Sequence, residues 1–311
     1  MRVLVTGANG FVGRHLCKYL RDCGDAVVAG QGPPASPRSD GEVAIDLTDG
    51  ESVRAAVEDA RPDAVIHLAG LSSVAKSHED PARVFAVNTL GAVNLLSAVR
   101  RGAPKTRVVL IGSGEMYGAL APGIRAREDF PLKPISPYAA SKAAAEVAGF
   151  QFQRGSGLEV VSARPFNHVG AGQDANFVVP SFARQVEAIR RGRSPAVLRV
   201  GDLSVTRDFS HVLDVVEAYR LLATSGVAGE AYNVCSGEGR TIRSLLDEML
   251  EIAGVSAKIV VEPERLRPNE LPSLVGDPGK LRKLGWAPSR TVRDALREVL
   301  DEAGAALDAA G

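Results

Sequence analysis

Cysteine is scarce in this chain: Cys17, Cys23 and Cys235 are the only three among 311 residues. An odd number without Cys-x-x-Cys spacing argues against a disulfide framework or a zinc site, so no metal is expected and the thiols read as reduced packing residues. A surplus of either charge is also missing, because 37 Lys and Arg balance 37 Asp and Glu. Such a chain has no global field to draw it onto nucleic acid or an anionic membrane. Its expected ligand is therefore small. Long apolar runs are lacking as well, since none reaches the ~18 residues needed to span a bilayer. Met1-Arg2 leads straight into an apolar strand with no secretory pattern, and the expected location is cytoplasmic. Neither an internal repeat nor a low-complexity linker breaks the chain; residues 32–41 read as a loop.

The length leaves room for one large or two moderate domains with a substantial core. Through the first half, strand-like runs at 3–6, 26–29, 64–68, 107–111 and 159–164 alternate with helical ones at about 10–22, 52–59 and 80–100, and with a helix carrying Lys142. That alternation predicts an α/β fold, a Rossmann-type doubly wound parallel sheet covered by helices on both faces. Arg61-Pro62 closes one helix and Arg101-Gly102-Ala103-Pro104 another. Beyond Pro165, Pro and Gly punctuate the chain, with helices at 180–191, 241–252 and 291–303. This part is expected to form a smaller C-terminal substrate-binding α/β lobe. Tyr232-Asn233-Val234-Cys235 still reads as a strand of the main sheet, so the lobe is not one block. The expected boundaries are 1–167 for the dinucleotide-binding domain, with segments near 208–235 returning to it, and 168–207 plus 236–311 for the lobe.

Two motifs carry chemistry. Thr6-Gly7-Ala8-Asn9-Gly10-Phe11-Val12-Gly13 follows the strand Val3-Leu4-Val5 and opens a helix, with Gly-x-x-Gly-x-x-Gly spacing rather than the usual Gly-x-Gly-x-x-Gly. Glycines there let backbone N–H groups and a helix N-terminus approach a pyrophosphate, so Gly7, Asn9, Gly10, Phe11, Val12 and Gly13 are expected to hold a dinucleotide. Val27-Val28-Ala29 then runs into Gly30-Gln31-Gly32 without the Asp or Glu that would repel a 2′-phosphate. NADP(H) is the expected cofactor, with NAD(H) as the alternative. Arg38 is either the partner of that phosphate or a solvated loop arginine; Asp46-Leu47 either hold the adenine or form a turn. The second motif is Tyr138-Ala139-Ala140-Ser141-Lys142. Its Tyr and Lys share a helix face at i and i+4, where the ammonium is expected to lower the phenol's pKa from its usual ~10.

Other candidates lie at strand ends, on the carboxyl edge where ligands bind in open α/β sheets. His67 is either a satisfied structural histidine or a functional one, and Leu68, Ala69 and Gly70 follow it toward the cofactor. The next strand ends in Gly112-Ser113-Gly114-Glu115-Met116-Tyr117-Gly118. Ser113 reads as a hydrogen-bond partner for a substrate oxygen, against a plain turn serine. Glu115 is either a general base or a structural partner for the loop.

Taken together, the glycine turn, Ser113 with Tyr138 and Lys142, Arg164-Pro165-Phe166-Asn167 and Arg207-Asp208-Phe209 resemble the extended short-chain dehydrogenase/reductase family that modifies nucleotide sugars. The resemblance runs from Met1 to about Trp286. Arg164 through Gln173, Asn176 through Pro180, and Arg267-Pro268-Asn269-Glu270-Leu271-Pro272 look like its GDP-sugar branch. That likeness implies NADPH-dependent reduction of the 4-keto group of GDP-4-keto-6-deoxy-D-mannose to GDP-D-rhamnose. Tyr138 would protonate the developing alkoxide, Ser113 would orient the carbonyl, and Lys142 would hold the cofactor ribose, with Arg164 also on the cofactor side. Arg207 and Arg267 would bind the diphosphate, against a surface ion pairing with Asp208 or Glu270. Asn167 would anchor the sugar-phosphate region and Phe177, Val178 and Val179 the nucleoside, with Arg184 and Glu270 completing the substrate contacts. A homodimer built from two helices per subunit, one of them the Tyr138–Lys142 helix, is also implied.

A nucleotide-sugar 4,6-dehydratase or 4-epimerase with tightly bound NAD(P) would use the same residues. Against the dehydratase stand Ser113 followed by Gly114, where those enzymes usually carry Thr followed by Ser, and the lack of their arginine-rich stretch after the second strand. A non-catalytic NADP-binding sensor or scaffold has no need of an intact Ser113, Tyr138 and Lys142 set.

Overall fold

The computed structural model describes residues 1–33, 41–121, 123–266 and 271–309. In the first half the order is β1 (Arg2–Thr6), α1 (Phe11–Asp22), β2 (Ala26–Gln31), β3 (Glu42–Ala44), α2 (Gly50–Ala60), β4 (Ala64–His67), α3 (Val74–Glu79) and α4 (Pro81–Phe85). A π-helical turn, Ala86–Leu90, then leads into α5 (Gly91–Gly102), β5 (Arg107–Ile111), α6 (Pro137–Ser156) and β6 (Val160–Pro165). The second half holds β7 (Asn167–Val169), α7 (Val178–Arg190), β8 (Val197–Val200), β9 (Thr206–His211), α8 (Val212–Ser225), β10 (Ala231–Val234) and β11 (Gly239–Thr241). It ends with α9 (Ile242–Ala253), β12 (Lys258–Val261), β13 (Ser273–Leu274), α10 (Gly279–Arg282) and α11 (Val292–Ala309).

Seven strands form one parallel sheet in the order β10-β6-β5-β4-β1-β2-β3. Alternation along each strand decides which layer a residue enters. Val3, Val5, Ile66, Val109 and Val161 pack with α1 and α8 on one face. Leu4, Val65, Val108, Leu110 and Val160 pack with α2 and α5 on the other. This is the doubly wound Rossmann-type fold, and β10, carrying Tyr232-Asn233-Val234, joins the main sheet at one edge. Helix ends are built as the sequence signals: Arg61 caps α2 in the left-handed region at φ 39°, and Ala103 follows the last turn of α5.

A second core lies between α7, α9 and α11, around Phe182, Val186, Leu245, Leu296 and Val299. Small sheets floor it: β9 pairs with β7, β11 and β13, and β8 with β12. Two expected boundaries need correction. β9 belongs to this lobe, so the chain returns to the main domain at α8 rather than near residue 208. Leu281 and Trp286 pack into the α1–α8 layer of the main domain, because Trp286 donates its indole N–H to the Asp214 carbonyl at 3.0 Å. The expectation of no span-length apolar run is corrected as well. Pro81–Gly102 is one 22-residue helical stretch that is long and apolar enough by composition to cross a membrane. Here Leu95, Leu96 and Val99 from it are buried against the sheet and α2.

Asp214, on the first turn of α8, fastens the lobe to the main domain. Its fully buried carboxylate accepts from Ser289 N and Oγ (both 3.2 Å), Arg290 N (3.1 Å) and Arg290 Nη1 (2.7 Å). Each buried group left unpaired costs about 1–3 kcal/mol. Asp214→Ala is therefore expected to lower the urea midpoint by more than the loss of a single hydrogen bond would. Equilibrium denaturation of the variant beside Asp214→Asn, which keeps the acceptor oxygen, checks this.

Candidate active site

β1 ends in the glycine turn. Gly7 adopts φ +72°, and its N–H and that of Ala8 donate to the Gly30 carbonyl at 3.0 and 3.2 Å. A Cβ at Gly13 would stand 2.2 Å from the Gly7 carbonyl, and one at Gly7 would stand 2.9 Å from the Ala69 backbone. The turn, the start of α1 and the 68–70 segment thus converge at a spacing only glycine permits. α1 has no side-chain cap and no acidic residue in its first turn. Its leading N–H groups face outward as an anion cradle, and the donors present fit a dinucleotide pyrophosphate.

Beside this cradle stands α6. Ser136 caps it, accepting from Ala139 N at 3.1 Å, and Pro137 occupies its first turn, so Tyr138 is fixed one residue into the helix. Lys142, one turn on, is buried and donates to the Ile111 carbonyl at 2.8 Å. The Lys142 amine is pushed down to about 8 by burial. The Tyr138 phenol is pushed up to about 12, chiefly by burial; hydrogen bonding with Ser113 opposes the rise and the Glu115 carboxylate adds to it. The expectation that Lys142 lowers the phenol is corrected: desolvation sets the value, and the phenol holds its proton firmly. Ser113 and Glu115 therefore share the space around Tyr138. Ser113 also accepts from Glu115 N at 3.2 Å, which folds the loop into a turn. Gly114 has a packing reason, for a Cβ there would meet the Phe166 ring at 3.0 Å.

His67 resolves as structural. Its Nδ1 pairs with Thr6 Oγ1 at 2.8 Å, Thr6 Oγ1 in turn accepts from Ala69 N at 3.2 Å, and burial pushes its pKa down to about 3. Asn88 was not singled out by sequence reasoning. From the π-helical turn its side chain accepts from Leu71 N (2.8 Å) and donates to Leu71 O and Ser141 Oγ (both 3.0 Å), tying the 68–71 segment to the catalytic helix. A Cβ on Gly70 would come within 2.8 Å of Asn88 Oδ1 and 3.4 Å of Lys142 Nζ. The sequence offers little signal for it, because the same helical stretch also carries Thr89, Asn94 and Ser97.

Other expectations divide. Asn9 and Gly10 are exposed at the cradle, with Phe11 and Val12 half-buried behind them. Asp46 makes a turn, Oδ1 accepting from Thr48 N (2.9 Å) and Thr48 Oγ1 (2.7 Å), and Leu47 is buried against Gly91. Arg164 is corrected. It is 5 % exposed, and its guanidinium is occupied by Glu146, Tyr117 and the Glu128 carbonyl, so it belongs to the interior. Val179 is corrected too, since its side chain is part of the lobe core rather than a nucleoside contact. Asn167, Phe177 and Arg184 are exposed and Val178 is half-buried. Arg207 is buried, with Nη1 donating to the carbonyls of Thr206 (2.9 Å) and Leu271 (2.7 Å). Asp208 beside it accepts from Ser236 N and Oγ, Gly237 N and Gly276 N, so its carboxylate organises loops of the lobe. Arg38, Arg267 and Glu270 lie outside the described residues.

A model of the family described as GDP-mannose 4,6 dehydratase matches residues 4–299. The chain belongs to this family, within the extended short-chain dehydrogenases/reductases. GDP-6-deoxy-D-mannose reductase of Pseudomonas aeruginosa is 39% identical over 97% of this chain and 96% of its own. The structure of RMD from Pseudomonas aeruginosa complexed with NADPH superimposes with a TM-score of 0.87 at 37% identity, over 98% of this chain and 99% of that one. UDP-glucose 4-epimerase of Thermus thermophilus, solved with NAD, gives 0.87 at 37% identity over 97% and 99%. Reductases, dehydratases and epimerases of the family thus share this frame, and this chain is an NAD(P)-dependent oxidoreductase-type enzyme built on it.

The buried His67 gives this family member an acid limb. The unfolded chain takes up a proton near the ordinary 6.5, whereas folded His67 resists until about 3. Between those values the unfolded state binds more protons, so stability falls as pH drops from 6.5 toward 3. His168, also lowered by burial, adds to the slope. Urea midpoints at pH 7 and pH 5 are expected to differ less in His67→Gln than in the parent.

Proposed function

We propose that the protein reduces the 4-keto group of GDP-4-keto-6-deoxy-D-mannose with NADPH, giving GDP-D-rhamnose. The reading rests on one observation above the others: the Tyr138 phenol stands beside Ser113 on the helix that carries Lys142, in a chain 39% identical to a GDP-6-deoxy-D-mannose reductase. A reduction needs an acid at the carbonyl oxygen, and a phenol that keeps its proton at neutral pH is available as one.

The cofactor, when bound, supplies the hydride. Gly7, Gly10, Gly13 and the first N–H groups of α1 cradle its pyrophosphate, Leu68, Ala69 and Gly70 line its nicotinamide half, and Arg38 receives the 2′-phosphate. Lys142 holds a ribose hydroxyl with the protons not given to Ile111. Ser113 donates to the ketone oxygen and fixes the carbonyl. As carbon 4 becomes tetrahedral, Tyr138 passes its phenolic proton to the developing alkoxide. Arg207 and Arg267 grip the diphosphate, a task suited to guanidinium forks. Asn167, Phe177, Val178, Arg184 and Glu270 serve as the remaining substrate contacts. We place the enzyme in the cytoplasm. It works as a homodimer through α6, whose Ala140, Ala143, Ala144 and Val147 form one stripe; Val147 is 63% exposed, and Leu90 nearby 59%.

Glu115 supports a second reading. A dehydratase needs a base for the sugar's carbon 5, and this carboxylate stands close enough to Tyr138 to raise its pKa.

Tyr138→Phe is expected to keep NADPH affinity and lose at least ~10²-fold in single-turnover reduction, the scale of a missing general acid. Glu115→Gln should lose less, because reduction takes no proton from carbon. Abolished turnover in folded Glu115→Gln would favour the dehydratase. Sedimentation at micromolar protein should give a dimer that Val147→Glu dissociates; a monomeric parent would overturn the assembly.

A further inference from the structure

The catalytic groups stand on two separate supports. Tyr138 and Lys142 belong to α6, whereas Ser113 and Glu115 belong to the loop after β5, and one ketone oxygen must meet Ser113 and Tyr138 together. The bond from Lys142 to Ile111 joins the two supports at one point. A second connection runs beneath them. Glu146, one turn beyond Lys142 on α6, is buried and accepts from Arg164 Nε (2.9 Å), Arg164 Nη2 (2.6 Å) and Ser162 Oγ (2.5 Å). Arg164 then reaches from β6 to the far end of the Ser113 loop, donating from Nη1 to Tyr117 Oη at 2.7 Å, with its guanidinium 5.1 Å from the centre of the Tyr117 ring. Tyr117 Oη donates to Asn233 Oδ1 at 2.7 Å, and Asn233 Nδ2 donates to the Ala126 carbonyl at 2.9 Å.

We propose that Glu146, Arg164 and Tyr117 are positioning residues that set the separation between the Ser113–Glu115 loop and the Tyr138–Lys142 helix. The role deepens the reductase reading and rests on it. Stability alone does not account for the unit. Apolar residues of similar volume often replace a buried ion pair at no cost in stability. An apolar contact, however, lets α6 slide against the loop. A planar guanidinium that forks onto one carboxylate and a phenol allows a single arrangement. Tyr117 is two residues from Glu115 and four from Ser113, joined to them through the 3-10 turn Gly114–Tyr117, so little slack lies between the unit and the reacting groups. A displacement of ~1 Å at such a site is worth ~10²-fold in rate.

Two variants test this in the full-length enzyme with NADPH and GDP-4-keto-6-deoxy-D-mannose. Tyr117→Phe removes one oxygen and leaves the ion pair. The double variant Glu146→Met with Arg164→Met replaces the pair with apolar bulk. Both are expected to fold, melting below the parent because buried partners lose a hydrogen bond, to keep its KM for both ligands, and to lose ~10-fold or more in kcat. Arg164→Lys, which keeps the charge but not the fork, should fail to restore the rate. Parental kcat in folded variants, or a loss confined to KM, would overturn the positioning role. Should the double variant not fold, Tyr117→Phe decides alone. A parent that binds NADPH but leaves the keto sugar unreduced overturns the substrate reading and this inference with it; parental turnover by the variants overturns this inference alone.

Discussion

The hydrogen bond from the Lys142 ammonium to the Ile111 carbonyl sits where every other part of the site must be measured from. It is made between a helix and the last residue of a central strand, with the Lys142 side chain buried. A cation so placed is costly to desolvate, which is why the amine falls to about 8, and one fixed acceptor leaves it two further donors. Strand β5 neighbours β4, and β4 neighbours β1, so the same point is in register with the 68–70 segment and the glycine turn. Displacing α6 by a fraction of an ångström would disturb cofactor and substrate sides together.

Burial dominates the electrostatics here. His67, Lys142 and Tyr138 all sit well away from their ordinary values, and the largest cause is desolvation each time. Neutral forms are favoured throughout: a neutral imidazole, a readily neutralised amine and a protonated phenol. Pairwise attraction between Tyr138 and Lys142, the argument their i, i+4 spacing invites, contributes to neither shift. The sequence shows which groups are neighbours on a helix but not how much water they retain.

Much of the sheet was legible because its signal is local. Most strands of the first half are short apolar runs bounded by turn residues, and α6 is marked by the i, i+4 spacing of Tyr138 and Lys142. The glycine turn was legible for the same reason. Arg164 was not, because its partners Glu146 and Tyr117 lie 18 and 47 positions away, and nothing in Arg164-Pro165-Phe166-Asn167 distinguishes a cofactor contact from a buried strut. Val179 failed in a simpler way: an apolar residue in the first turn of an amphipathic helix has two faces open to it, and the lobe core took it. β9 defeated its assignment because a strand followed by a helix of the main domain looks the same whichever sheet the strand joins.

The π-helical turn at Ala86–Leu90 has a consequence for how this chain tolerates change in length. A π turn holds one residue more than an α turn, so it shifts the phase of everything after it by the ~100° that one residue subtends. Leu95, Leu96 and Val99 meet α2 and the sheet only in that shifted phase. Deleting one residue of the turn would restore regular winding without rotating α5, because the residue lost is the one the wide turn had absorbed, and the apolar face would stay in the core. Asn88 would lose its place over Leu71 at the same time. A single codon removed here would therefore be felt in the bonds of Asn88 to Leu71 and Ser141 rather than in the packing of α5.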